Sequence, residues 1–323
     1  MKEEVLKILK KGRPGFVSGE EICQKLNVTR AAVWKHIQSL REDGYLIEAR
    51  PRAGYILRSV PDRLYPWEIA DGLDTAVLGR EIYYYPSLTS TNDVAKDLAR
   101  SGSGEGTLIV AEEQTGGKGR LGRFWHSPPR LGLLFSLILR PAVEPRVVAQ
   151  VTMVAAVALA CAIKETSGLT CGIKWPNDLL AGGRKLGGIL TELSAEVDRV
   201  SFLVLGAGIN VNQSEGDFPP SISATATSLK IETGRRVDRV ELLKASLREM
   251  ERWYNTWLTG GFAPVLARWK ELCVSLNRPV AVHSPLGVTQ GWAEDVDEDG
   301  ALVLRTAGGE IKKFVSGEVS LRS

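Results

Sequence analysis

Cysteine and histidine are scarce: this chain of 323 residues has four of the first and three of the second. Cys23, Cys161, Cys171 and Cys273 are scattered and form no CxxC pair. That spacing argues against a disulfide framework and a structural zinc site, and for a reducing, cytoplasmic compartment. His36, His126 and His283 lie far apart, so no metal site built from a cluster of protein ligands is expected. No nucleophilic catalytic arrangement stands out. The start, Met1-Lys2-Glu3-Glu4, is acidic and reads as helix rather than as a signal peptide. One long apolar stretch occurs, Val147 to Ile163. It falls short of the ~20 residues that span a bilayer. It is rich in alanine and carries Gln150 and Thr152, so it reads as a buried core helix. The Walker A spacing GxxxxGK[ST] is absent, and no strand–turn–helix surrounds a glycine fingerprint.

The composition, 44% hydrophobic and 24% charged, is that of a soluble protein with a sizeable core, and the length suggests two or three domains. Net charge is only +3 but unevenly placed. Residues 1–60 hold 12 Lys and Arg against 7 Asp and Glu, so the remainder carries a balance of −2. A basic head on a near-neutral body points to nucleic acid.

Within that head, Val5, Leu6, Ile8 and Leu9 mark a helix ended by Gly12 and Pro14. Ser18, with Glu21 three residues on, reads as a capping box. Thr29 caps a further helix with Ala32, Val33, Ile37 and Leu40 on its inner stripe. Strands at 45–49 and 54–57 flank Arg50-Pro51-Arg52-Ala53. Helix, turn, helix and basic hairpin is the layout of a winged helix-turn-helix over residues 1–62. Thr29, Arg30, Trp34, Lys35 and Gln38 would face the major groove, and Arg50 and Arg52 the phosphates. A protein-interaction module with a solvated basic face is the alternative.

A linker at 59–65 leads into a segment, 66–277, that alternates strands and helices. Strands are expected at 82–85, 106–112, 132–139, 172–175, 184–193 and 200–211. Helices are expected at 92–99, 146–165, 237–257 and 262–276. A mixed sheet with helices on it follows. The tail, 278–323, changes to short β runs at 280–283, 288–296, 302–305 and 311–315 with glycine turns, the pattern of a small barrel of about five strands.

Two clusters carry chemistry. Gly116-Gly117-Lys118-Gly119-Arg120-Leu121-Gly122-Arg123-Phe124-Trp125 lets backbone N–H groups approach an anion and adds mobile positive charge. Lys174-Trp175-Pro176-Asn177-Asp178 puts a cation, a ring, an amide and a carboxylate side by side. Each has a plainer reading: an exposed basic loop, and a lysine whose stem packs on Trp175 while its head reaches water. Together they point to carboxylate and phosphate chemistry, and so to acyl-adenylate formation. Ser90-Thr91-Asn92 reads as a helix N-cap that also bonds a polar head group.

In order, these pieces resemble the biotin protein ligases, in the bifunctional form that doubles as the biotin operon repressor. The resemblance covers the winged head, Ser90-Thr91-Asn92, the loop from Gly117 to Arg123, and the run from Lys174 to Asp178. It also covers Lys185-Leu186-Gly187-Gly188-Ile189-Leu190, Gly208-Ile209-Asn210 and the ending Ser316 to Arg322. It implies an SH3-like terminal barrel and a two-step reaction. Biotin and ATP, with Mg²⁺, give biotinyl-5′-AMP; the amine of a lysine on a biotin carrier domain then attacks it. It implies Lys174 and Arg120 as catalytic residues. It implies biotin contacts from Ser90, Thr91, Asn92, Gln114, Gly117, Lys118, Gly119, Arg120, Lys174, Gly187 and Gly188. Lys118, Arg120, Arg123, Trp125, Asn177 and Asn210 fall to the adenylate. As corepressor, biotinyl-AMP would favour a homodimer on the operator DNA of biotin genes. The family usually reads Gly-Arg-Gly-Arg in the loop; here position 118 is lysine, which keeps the charge and loses the planar fork. A lipoate-type ligase, a sensor without catalysis and a ligase whose head no longer binds DNA are the competing readings.

Overall fold

The computed structural model describes residues 1–144, 147–196, 199–284 and 287–321. The chain separates into two compact units, Met1–Arg63 and the remainder from Leu64 onward.

The first unit runs α1 (Lys2–Lys11), α2 (Gly19–Leu26), α3 (Arg30–Glu42) and an antiparallel hairpin, β1 (Leu46–Arg50) and β2 (Gly54–Ser59). Both expected caps form: Ser18 Oγ accepts from the Glu21 N–H at 3.0 Å, and Thr29 Oγ1 from the Ala32 N–H at 3.2 Å. The return arm of the capping box is not made, because Glu21 turns outward to accept from Lys25 at 2.7 Å. Asn27 takes the left-handed turn between α2 and α3 at φ 51°, a conformation its short polar side chain tolerates. Val5, Leu6, Leu9, Ile22, Val33, Ile37 and Leu40 form the buried stripe, and Ile47, Ile56 and Leu57 close it from the hairpin. Gly54 lets the hairpin approach closely: a Cβ there would lie 2.1 Å from the Val17 carbonyl oxygen.

The second unit contains α4 (Pro66–Ala70), β3 (Ile82–Tyr85), α5 (Thr91–Arg100), β4 (Leu108–Ala111), β5 (Gly132–Leu139), α6 (Val148–Ser167), β6 (Gly172–Lys174), β7 (Asp178–Ala181), β8 (Arg184–Glu196) and β9 (Arg199–Asn210). Then come α7 (Pro220–Ser223), α8 (Leu229–Thr233), α9 (Arg239–Gly260), α10 (Ala263–Leu272), β10 (Arg278–Ser284), β11 (Gly287–Val296), β12 (Leu302–Thr306), β13 (Ile311–Phe314) and β14 (Glu318–Leu321). Seven strands form a mixed sheet in the order β3-β4-β5-β9-β8-β7-β6, with only β3 and β4 parallel.

Strand alternation decides what each face meets. Leu133, Phe135, Leu137 and Leu139 of β5, with Leu203, Leu205, Ala207 and Ile209 of β9, join the core built on α6 and α9. Ile138, Phe202 and Val204 point the other way, against Ala95 and Ala99 of α5. Helix α6 is apolar and long enough for a membrane, yet it lies mostly inside the protein. Its Gln150 is held at both ends: Oε1 accepts from Trp257 Nε1 at 2.8 Å, and Nε2 donates to the Glu298 carbonyl at 3.0 Å. Arg146, the first residue expected in this helix, lies outside the described residues.

β7, β14 and the short helices α4, α7 and α8 went unread in the sequence, since four- or five-residue runs beside Pro and Gly carry too few periods to register. The terminal strands form one antiparallel sheet in the order β13-β12-β11-β10-β14. Among the described residues nothing pairs β13 with β14, so the closed barrel expected from the sequence is not seen; β14 gives its pairing to β10 instead. This sheet shares the α6 core through Val280, Val282, Ala293, Val296, Leu302, Leu304 and Val319.

Candidate active site and nucleic-acid interface

On the α5 side of the central sheet, small residues leave a cavity of about 280 Å³. Gly188 of β8 and Gly208 of β9 stand directly opposite each other and make a flat floor. Trp125 lies on it: a Cβ at Gly208 would meet the indole at 2.7 Å, and one at Gly188 at 3.6 Å. Two residues earlier, a Cβ at Gly206 would fall 2.1 Å from Asn92 Oδ1. Gly206 and Gly208 thus provide two close approaches on a regular strand.

A polar group lines the same cavity beside this floor. The Thr91 N–H and hydroxyl both donate to Gln114 Oε1, at 2.7 and 3.0 Å. The buried Ser136 hydroxyl contacts Thr91 Oγ1 at 2.8 Å and Asn92 Oδ1 at 2.6 Å. Ser90 occupies the N-cap position of α5, as expected, but its side chain makes no capping bond, which corrects the capping half of that expectation.

In the Lys174–Asp178 run, alternation sends Trp175 into the core, where its Nε1 donates to the Gly300 carbonyl at 3.1 Å. Lys174 faces the cavity. Asp178 Oδ2 pairs with Lys174 Nζ at 3.1 Å, and its Oδ1 with Lys185 Nζ at 2.7 Å. One buried carboxylate therefore holds two ammonium groups at the cavity wall. Asn177 Nδ2 donates to the Ile189 carbonyl at 2.7 Å while its oxygen accepts from Arg120 at 3.2 Å. Asn210 is buried, donating to the Thr227 carbonyl at 3.0 Å.

The glycine-rich loop folds back on itself, with Trp125 N–H to the Gly117 carbonyl at 2.8 Å and a 3₁₀ turn at Arg120–Gly122. Arg120 also donates to the Gly317 carbonyl at 3.2 Å, and Arg123 makes a two-pronged ion pair with Glu318, so the terminal sheet helps shape the loop. Burial pushes the Arg120 pKa below its ordinary value, against the charges of Asp178 and Glu318. Lys118 reaches away to Asp93 at 2.6 Å. Partial burial pushes the Asp93 carboxyl up, but the hydrogen bonds from Lys118 and Lys96 outweigh it and hold the pKa below the ordinary value.

Of the residues expected at the site, Ser90, Thr91, Asn92, Gln114, Lys118, Gly119, Arg120, Arg123, Trp125, Lys174, Asn177, Gly188 and Asn210 all line this cavity. Gly117 and Gly187 do not. A Cβ at Gly117 would meet the Trp125 carbonyl at 2.7 Å and one at Gly187 the Gly208 carbonyl at 3.0 Å, so both serve close backbone packing. Asp178, Lys185, Gly206 and Gly208 had no role in the sequence reading, nor did the apolar wall of Phe218, Ile222 and Ala226. Asp178 closes the Lys174–Asp178 run and Lys185 opens the Lys185–Leu190 run, which is the signal for both; the apolar wall carries none. Among the described residues no cluster of three or more His, Cys, Asp or Glu is placed to hold a metal. The cavity's acidic side chains, Asp178 and Glu318, are already taken by cations, so the residues present do not fit a protein-held Mg²⁺.

In the first unit, Thr29 at the α3 N-cap and Arg30, Trp34 and Lys35 on α3 are exposed, and Gln38 is half-buried. Arg30 pairs loosely with Glu20 at 3.5 Å. Arg50 and Arg52 are exposed at the hairpin tip, with the Arg50 guanidinium 4.8 Å from the Phe16 ring centre.

Residues 84–210 match the Biotin/lipoate A/B protein ligase family, residues 2–56 an HTH domain, and residues 275–322 the Biotin protein ligase C terminal domain. The chain is 40% identical over 321 residues to the "Bifunctional ligase/repressor BirA" of Bacillus subtilis (strain 168), covering 99% of this chain and 98% of that one. The chain belongs to this bifunctional ligase/repressor family. It is also 33% identical over 309 residues to the protein of the same name from Escherichia coli (strain K12), covering 95% and 94%. Among solved structures, the biotin protein ligase of Aquifex aeolicus in complex with biotin and ATP superposes with a TM-score of 0.65 at 31% identity. That match covers 75% of this chain and 99% of the other. These likenesses set aside the lipoate-type and sensor-only readings.

Proposed function

We propose that this protein joins biotin to a lysine of a biotin carrier domain through biotinyl-5′-AMP, and represses biotin genes when it holds that adenylate. The observation that carries the reading is one cavity with three kinds of wall: the Thr91–Gln114 polar group, the lysine pair on Asp178, and the Trp125 ring on its glycine floor. The polar group suits the ureido ring of biotin. Lys174 and Lys185 suit its carboxylate and then the adenylate phosphate, and Trp125 with Asn210 suits the nucleotide. Joining a carboxylate to an α-phosphate brings two anions together, and fixed cations aimed at that charge lower the barrier. Arg120, Lys174 and Lys185 are already held in place by Asn177 and Asp178, so little reorganisation is needed during reaction. Lys118 would leave Asp93 and close with Arg120 over the adenylate, keeping water from the anhydride. Mg²⁺ would arrive on the ATP phosphates rather than in a protein cage.

Residues 1–62 would be the operator-binding head, 66–277 the ligase domain and 278–323 a terminal domain that shapes the adenylate loop. The adenylate-bound protein would act as a homodimer on a two-fold operator. Beyond Ile189 the outer edge of β8 has no partner strand among the described residues, and Leu193 on it is 44% exposed; such an edge is a ready template for a second copy. The compartment would be the cytoplasm, in keeping with four free cysteines and an ATP substrate.

ATP–pyrophosphate exchange with biotin, with lipoate and with neither tests the ligase reading. Exchange dependent on biotin supports it; exchange with lipoate alone, or none, refutes it.

A further inference from the structure

A second cavity of about 260 Å³ lies against the first, and Arg120, Leu121, Trp175, Pro176, Asn177, Ile189 and Leu190 line both. Its character differs. The first cavity is lined by five cationic side chains, Lys118, Arg120, Arg123, Lys174 and Lys185. The second has one charged side chain among its described lining residues, Arg120. The wall it does not share with the first is Ala149, Met153, Gly300 and Val315, with Thr152 and Thr191, whose hydroxyls are spent on each other at 2.8 Å. Apart from Arg120, no side chain in this lining would bind a triphosphate or pyrophosphate. Its rim carries Leu121 and Val315, both 78% exposed.

We propose that this second cavity is the entry route of the acceptor lysine. The inference rests on the ligase reading above. A lysine side chain is an apolar stem with a charged head, and the lining suits the stem. Apolar walls and the nearby Arg120 guanidinium both disfavour an ammonium, so the head arrives as the free amine that the chemistry requires. At the Arg120–Asn177 partition, 3.2 Å between donor and acceptor, the amine meets the anhydride from the side not taken by the biotin ring or the nucleotide. The nitrogen lone pair forms the new C–N bond at the biotin carboxyl carbon. The acyl C–O bond of the anhydride breaks, and AMP leaves with that electron pair on its phosphate oxygen. The first proton is shed to solvent at the rim; the second leaves the nitrogen as the amide forms and departs with the AMP phosphate.

The test uses the full chain with Ala149→Trp and, separately, Val315→Trp, two exposed positions on the cavity lining. Biotin-dependent ATP–pyrophosphate exchange is measured first; its absence in the wild type would sink the ligase reading rather than this inference. Enzyme carrying preformed adenylate is then mixed with a biotin carrier domain or with n-propylamine. The expected result is exchange within twofold of wild type, and discharge to both amines slowed at least tenfold. Undiminished discharge to n-propylamine in both variants overturns the inference, even if carrier transfer falls, because it would mark the rim as a docking surface only. A parallel loss of exchange also overturns it, since the cavity would then serve adenylation.

Discussion

Two glycines on one strand face should control two different substrates. Gly208 is a β9 residue with ordinary strand backbone, so alanine there carries no left-handed penalty. Its new methyl would sit 2.7 Å from the Trp125 indole. Carbon atoms rest at roughly 3.5–4.0 Å, so the ring must retreat by about 1 Å. Base–aromatic stacking contributes roughly 1–3 kcal/mol per base. Its loss corresponds to ATP binding weaker by roughly five- to 150-fold, at 1.4 kcal/mol per factor of ten. Gly206→Ala instead drives its methyl to 2.1 Å from Asn92 Oδ1. Asn92 is pinned by Ser136 and by Glu192 at 2.7 Å, so the strain falls on the Thr91–Gln114 group. Initial-rate exchange kinetics should show Gly208→Ala raising the KM for ATP with the biotin KM held within twofold, and Gly206→Ala the reverse. Thermal unfolding of both variants controls for global damage. Equal changes in both KM values for either variant, with Tm unchanged, would refute the division of the cavity.

Arg120→Gly removes the contacts to Asn177 and Gly317, and should release free biotinyl-AMP at least tenfold faster; chromatography of the filtrate and biotin labelling of a bystander protein would read this, and wild-type retention would contradict it. Arg30→Ala or Lys35→Ala should abolish operator binding at fixed salt while leaving carrier biotinylation unchanged, measured by gel shift and by ligation on the same preparations. Asp93 has a depressed folded-state pKa, so its contribution is present above the unfolded value and lost as pH falls through the folded one. Asp93→Asn should therefore lower stability by a constant amount from pH 8 to pH 5, and the difference should close at more acid pH; a difference that grows on acidification would reverse the sign of the argument.

Much was legible because it depends on neighbours in sequence. Caps at Ser18 and Thr29, the α3 stripe and the apolar run of β5 are short-range patterns, and the structure reproduces them. The Lys174–Asp178 run could be recognised for the same reason, and it does line the cavity. Its internal division of labour could not. Trp175 is a core residue that ties the central sheet to the terminal one, while Asp178 is the counter-ion of two lysines, one of them seven residues on across a strand pair.

By itself the sequence determined the longer elements, the basic head and the chemical character of the two motifs, because periodicity and residue chemistry are local. Only the tertiary structure decided that Gly188 and Gly208 form a floor for Trp125, and that Gly317 and Glu318, nearly two hundred residues downstream, hold the glycine-rich loop. It also decided that a second, nearly uncharged cavity abuts the first. Those features depend on distances between strands that meet only after the sheet packs against α6, and no spacing along the chain encodes them.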